Sequence, residues 1–169
     1  MKPRPPPRLR RAYFDCRYGQ LHVHNAIPAG GGFDELTTLI CIHGAGQTGR
    51  VFAAVLAGLG GERSIYALDL PGAGESDPAP GVDALQAGVH AITDFLDSMR
   101  IRQVDAIAEG TGAGIARRLA VERPAQLRRV VLIGETGAKG PSFPQPSLAV
   151  DTAQAGSPAM IPRLTEFLR

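Results

Sequence analysis

The chain has 169 residues, 44% of them hydrophobic and 20% charged, enough for one domain that buries its core without disulfides or metal. Its 21 Gly and 14 Pro fall short of a collagen-like or low-complexity composition, and no apolar run approaches the ~18 residues of a membrane span. The net charge of +2 is uneven: the first 17 residues hold six basic groups against Asp15, and the rest is mildly acidic, which argues against nucleic acid as the main partner.

Residues 1–11 (MKPRPPPRLRR) read as a disordered, basic, Pro-rich tail. They lack the apolar segment of a secretory signal, and a transit peptide or a Pro-rich docking ligand is a secondary reading. Residues 12–17 and 20–26 flank Tyr18-Gly19 as a hairpin, and a Gly-rich loop follows at 28–34. Residues 37–42 (TTLICI) form a short, β-branched apolar run, the pattern of a strand buried on both faces. His43-Gly44-Ala45-Gly46 is a turn. Thr48 can cap a helix carrying Val51, Phe52, Val55, Leu56 and Leu59, which Gly60-Gly61 ends.

Residues 64–70 (SIYALDL) are a second buried strand, stopped by Pro71, and 71–81 is a loop. Apolar positions at helical spacing predict a helix over 82–99. Residues 103–108 are a third strand, 110–114 a Gly-rich turn and 115–122 its helix. Residues 127–133 (LRRVVLI) are a fourth strand. Beyond Gly134 the periodicity fails, although 162–169 resembles the start of a helix.

The alternation from 37 to 133 predicts an α/β fold. It is a three-layer sandwich with a mostly parallel sheet of about six strands, helices on both faces and the hairpin at one edge. The core is expected over 12–135, and 136–169 as an irregular segment, the start of a lid. Strand 127–133 would then be an open apolar edge, and open edges pair with something. A homodimer or a partner subunit is the expected occupant. Two cysteines, Cys16 and Cys41, are too few for a disulfide framework or a zinc site. They suit a reducing, cytoplasmic compartment.

Ligands of open parallel sheets bind outside the carboxyl ends of the strands. The turn after residue 42 contains Gly44-x-Gly46-x-x-Gly49, with Asp69 at the end of the next strand, formally a dinucleotide fingerprint. Against that reading, His43 stands at the phosphate turn, a hairpin precedes the first strand, and Asp69 runs into the stiff Leu70-Pro71-Gly72.

Four features in one order answer to another pattern. They are the hairpin, His43-Gly44 after a buried strand, the loop Asp69-Leu70-Pro71-Gly72-Ala73-Gly74-Glu75-Ser76-Asp77, and strand–turn–helix at 104–120. Over some 120 residues the chain resembles the α/β-hydrolase family, C-terminally truncated. The resemblance implies hydrolysis of a small ester or related carbonyl compound, with no cofactor or metal. It implies a nucleophile elbow at Ala108-Glu109-Gly110-Thr111-Gly112, where the family pattern is G-x-S-x-G. Gly110 stands at the nucleophile position and has no side chain to attack with. The amides of Ala45 and Thr111, beside His43 and Gly44, are the implied oxyanion donors.

The family's acid and histidine follow the nucleophile in chain order. Glu135 is the one well-placed acid. All four histidines, His22, His24, His43 and His90, precede Gly110. The His43 side chain is expected to lock its turn, and the Thr111 hydroxyl to cap the next helix. Ser76 is expected to bond local backbone and Glu109 to be half-exposed. His22 and His24, two apart on one strand face, are expected at the surface. A weak or inactive hydrolase and a non-catalytic binding or docking module are both open at this point, as is the dinucleotide-binding alternative.

Overall fold

The structure, a computed structural model, describes residues 5–31, 36–134, 143–151 and 159–169. The β-branched and apolar runs form the strands. β1 (Arg8–Cys16) and β2 (Gly19–Ile27) make the hairpin; β3 (Thr38–Ile42), β4 (Ile65–Leu68), β5 (Val104–Glu109), β6 (Leu127–Ile133) and β7 (Ser147–Val150) follow. One seven-stranded sheet results, in the order β1-β2-β4-β3-β5-β6-β7. The β1–β2 and β2–β4 pairs are antiparallel and all others parallel.

From Leu39 to Ile42 in β3 and from Ile65 to Leu68 in β4 every position is apolar, because both faces are covered. Ile40 and Ile42 of β3 point to one face, packed with Val89, Ile92 and Phe95 of α2 (Ala84–Ser98) and Ala116 and Leu119 of α3 (Gly112–Glu122). Leu39 and Cys41 point to the other, packed with Val55 and Leu59 of α1 (Ala53–Leu59) and Leu164 of α4 (Met160–Phe167). A short 3-10 turn at Gly49–Phe52 precedes α1, capped by the Thr48 hydroxyl, which accepts from the Arg50 amide. The Asp83 carboxylate caps α2 by accepting from the Gln86 amide.

Three expectations need correction. The tail is shorter than residues 1–11, because β1 begins at Arg8 and pairs Arg8 with Ile27. Strand Leu127–Ile133 is not the sheet edge: β7 pairs with it in parallel, Val130 opposite Ser147 through Ile133 opposite Val150. The segment 136–169 therefore contains a strand that the sequence did not announce, besides α4, which lies where the start of a helix was expected at 162–169. β7 escapes periodicity because it is only four residues long, SLAV, and is more exposed than buried. Its stability comes from β6 beside it, not from its own composition.

The hairpin is tied to α2 by a two-pronged ion pair. Arg17 Nε donates to Asp94 Oδ2 at 2.9 Å and its NH2 to Oδ1 at 2.7 Å. Those bonds hold the Asp94 carboxyl below its usual range. The contribution is then present above the unfolded carboxylate value of about 4 and is lost as pH falls through the lower folded value. Arg17→Gln is expected to lower stability at neutral pH by at most about 1 kcal/mol, because the pair is partly exposed. Urea unfolding should show a shallower loss of stability between about pH 5 and pH 3 in the variant. An unchanged acid slope would show that the pair does not matter to folding.

Candidate active site

β4 lies on one side of β3 and β5 on the other, so connections leave β3 and β5 in opposite directions. That reversal opens a crevice outside their carboxyl ends. It brings together the turn after β3 (His43–Gly46), the turn after β4 (from Asp69) and the turn between β5 and α3. A cavity of about 490 Å³ lies there, lined by His43, Ala45, Leu70, Leu85, Thr111 and Ile115 among others. A larger cavity of about 600 Å³ opens at the other end of the sheet, beside Thr38, Ser64 and Gln103. It touches none of these turns.

The elbow's geometry is set by two glycines with different jobs. Gly110 has φ +52°, and a Cβ placed on it would meet nothing within 4 Å. Its amide donates to the Ile133 carbonyl at 3.0 Å. At Gly112 a Cβ would come within 2.6 Å of the Ile42 carbonyl oxygen and 2.7 Å of that of His43. Only glycine lets α3 start this close to the end of β3.

His43 is buried, 3% exposed. Its Nδ1–H donates to the Gly44 carbonyl at 2.8 Å and its Nε2 accepts the Leu70 amide at 3.0 Å. Both ring nitrogens are thereby used in joining two turns. The Ala45 amide donates to the Thr111 hydroxyl oxygen at 2.7 Å. The expected helix cap is thus absent, and α3 has no side-chain cap. The hydroxyl instead sits on one of the two implied oxyanion donors.

Gln47 had no signal in the sequence. Its side-chain oxygen accepts the Gly44 amide at 2.9 Å, and its NH2 donates to Glu109 Oε1 at 3.3 Å. It braces the His43 turn against the elbow. Ser76 donates to the Asp69 carbonyl at 2.6 Å and accepts the His22 amide at 2.9 Å, so its hydroxyl serves the backbone. His90 lies on α2 against Tyr18 and Gln86. Glu135 lies outside the described residues.

His22 is buried and His24 largely so, where both were expected at the surface. β2 is paired on both sides, and the turn that opens at Gly49 covers the face they share: a Cβ on Gly49 would lie 2.9 Å from the His24 ring. Asp69, 2% exposed, accepts from His22 Nδ1 at 2.9 Å, the Gly49 amide at 2.8 Å and the Glu75 amide at 3.3 Å. Burial pushes its carboxyl up, but these bonds outweigh it and hold the group below its usual range. Burial also pushes the His24 ring down. With its oxygens engaged inside the protein, Asp69 is closed to a ribose, which removes the residue on which a dinucleotide site depended.

A parallel sheet with a sharp strand–turn–helix elbow at its switch point defines a class of α/β enzymes and their relatives. The profile of the Alpha/beta hydrolase family matches residues 39–169. The chain belongs to that family. It is 34% identical over 124 residues to a 2-hydroxymuconate semialdehyde hydrolase of Pseudomonas sp. (strain CF600), covering 71% of this chain and 41% of that protein. It is 31% identical over 108 residues to a dihydrolipoyllysine-residue acetyltransferase component of the acetoin cleaving system of Cupriavidus necator, covering 64% of this chain and 28% of that protein.

Among solved structures, an α/β hydrolase from Novosphingobium aromaticivorans has a TM-score of 0.65 at 22% identity, covering 73% of this chain and 43% of that one. The carboxylesterase CesB of Bacillus subtilis has a TM-score of 0.65 at 19% identity, covering 75% and 43%. At these identities the structures show the shared fold. The chain spans less than half the length of these relatives. No helix among the described residues is long and apolar enough to cross a membrane.

Proposed function

We propose that this chain provides an α/β-hydrolase pocket for a small ester or related carbonyl compound and has little or no hydrolytic turnover by itself. The observation that carries this is Gly110 at the elbow: the backbone turn is kept, and no side-chain oxygen stands there. No histidine follows it in these 169 residues, so no imidazole of the family's order is present to take a proton. The semialdehyde in the name of the Pseudomonas relative supports a carbonyl compound as the ligand class. The ligand oxygen would take the Ala45 and Thr111 amides, with the Thr111 hydroxyl turning aside to free the first. The apolar part would lie against Leu70, Leu85 and Ile115. A reducing, cytoplasmic setting suits the two free cysteines, of which Cys41 is buried.

A second reading, a non-catalytic binding or docking module, is favoured by the Ala45–Thr111 bond, which closes the pocket's donor on itself. In that reading a partner or a second copy would pair with β7, which stands last in the sheet among the described residues.

Intact-mass measurement after incubation with a fluorophosphonate probe tests the proposal. The expected result is no adduct, for this chain and for its Gly110→Ser variant alike. A stoichiometric adduct on the unaltered chain, mapped to Thr111, Ser76 or elsewhere, would mean that a working nucleophile exists.

A further inference from the structure

Asp69 is a carboxylate taken almost wholly out of water. Buried charges are ordinarily paired with an opposite charge or bound to a metal. Among the described residues no lysine or arginine pairs with it; its charged-group neighbours are the imidazoles of His22 and His24. The ligand atoms of these three side chains lie within 4.8 Å of one another. His22 Nδ1 is 2.9 Å from Asp69 Oδ2, and His24 Nε2 is 3.5 Å from Asp69 Oδ1. Zinc bonds of about 2.0–2.1 Å place neighbouring ligand atoms of a tetrahedron about 3.4 Å apart. The two separations run to different carboxylate oxygens, Oδ2 and Oδ1, so an ion between the rings would be held by the carboxylate as a whole.

From this cluster we infer a divalent metal site, with His22 Nδ1, His24 Nε2 and the Asp69 carboxylate as ligands and Zn²⁺ as the ion that best suits them. Two imidazole nitrogens and one carboxylate oxygen are a borderline donor set that favours zinc over calcium or magnesium. The fold supplies the arrangement. His22 and His24 share one face of β2 by the two-residue strand period. β4 pairs with β2, Val23 opposite Leu68 and His24 opposite Ala67, and delivers Asp69 at its end. The Gly49 amide donates to Asp69 Oδ1 and the Glu75 amide to Oδ2, which hold the carboxylate in place as groups that orient a ligand commonly do.

His24, the most exposed of the three side chains, also lines a cavity of about 350 Å³ with Leu9, Arg11, Ala53 and Leu56, so an ion would enter past its ring. On binding, the proton that His22 Nδ1 now donates to Asp69 moves to Nε2, and the freed Nδ1 lone pair takes the metal. Arg11 and Arg50 lie near enough to bear on His24, and they repel a dication. Their charge lowers the affinity of the site for the ion. A bound ion would clamp the β1–β2 hairpin to the loop that follows β4, one wall of the pocket. The site stands apart from Gly110 and holds whether or not the pocket has any turnover.

The test is calorimetric titration of the tag-free chain with zinc chloride. One equivalent should bind, and the thermal midpoint should rise with added zinc. His24→Gln should weaken binding at least about tenfold, the loss expected when a ligand is removed, while leaving the metal-free thermal midpoint close to that of the unaltered chain. Titration of the unaltered chain with cobalt(II) should give the visible absorption of a tetrahedral nitrogen–oxygen site. Binding undiminished by His24→Gln would place the ion elsewhere and overturn the assignment. Absence of both zinc heat and the cobalt spectrum would overturn the site altogether. The cobalt measurement needs no variant, so it decides the matter even if His24→Gln fails to fold.

Discussion

Asp105→Ala is expected to lower the stability of the fold by about 3–5 kcal/mol, the range for breaking a buried ion pair from one side. Asp105 is fully buried on β5. Its Oδ1 accepts from Arg128 Nε at 2.8 Å; its Oδ2 accepts from Arg128 NH2 at 2.6 Å and Arg63 NH1 at 3.0 Å. Arg63 is itself 1% exposed. Both guanidinium groups go on to the end of α4, donating to the Leu168 carbonyl at 2.9 Å and 2.8 Å. Arg129 donates to the Phe167 carbonyl at 2.8 Å.

The C-terminal end of α4 carries carbonyls without helical partners and a partial negative charge, so cations are favoured there. One carboxylate and one helix end thus share two arginines. Without Asp105, Arg63 becomes a buried charge that has lost its ion pair. The seat of α4 loosens, and Met160 and Leu164 lose their cover against α1 and the sheet. Urea unfolding reads the effect directly. A variant that carries Asp105→Leu, Arg63→Met and Arg128→Met together should recover much of the loss, because it removes the charges with their partner. A loss below about 1 kcal/mol for Asp105→Ala would mean that the cluster is more hydrated than its burial indicates.

The second large effect belongs to the elbow. Gly112→Ala is expected to destabilise the chain by about 1–3 kcal/mol, as overpacking against fixed neighbours does. The atoms its Cβ would meet are the Ile42 and His43 carbonyl oxygens at 2.6 Å and 2.7 Å. They belong to the backbone at the end of β3 and cannot swing away. α3 must back off, and the Ala45–Thr111 bond across the crevice should be lost with it. Gly110→Ala is the internal control. Space is free there, and the added strain is that of a side chain at φ +52°, about 1 kcal/mol. Thermal midpoints should therefore fall further for Gly112→Ala than for Gly110→Ala. The reverse order would show that the close approach of α3 to β3 is not what holds the elbow.

Much of this molecule is written in local pattern. TTLICI can be buried on both faces only as a central strand, and that is where β3 lies. The alternation from 37 to 133 predicts parallel strands and covering helices because each β-α step is a short-range unit with its own turn chemistry. The elbow is legible for the same reason: strand, Gly110, Gly112 and helix are neighbours in the chain. So is the absence of a nucleophilic side chain at Gly110, since a missing side chain needs no structure to reveal it.

The contacts that give the site its character join residues far apart in the chain, and no periodicity reports them. His22 meets Asp69 across 47 residues, the Ala45 amide meets Thr111 across 66, and Arg63 meets the Leu168 carbonyl across 105. A histidine on a strand reads as solvent-facing until β2 is seen paired on both sides. A threonine at a helix start reads as a cap until a nearer amide claims its hydroxyl. Four residues such as SLAV read as loop until β6 offers them an edge. Local propensity and spacing are properties of the chain, and they sufficed for the sheet, its helices and the vacant elbow. Charge pairing and burial depend on which distant segments the sheet order makes neighbours, and so the His–Asp cluster, the Ala45–Thr111 bond and the seating of α4 emerge only from the folded molecule.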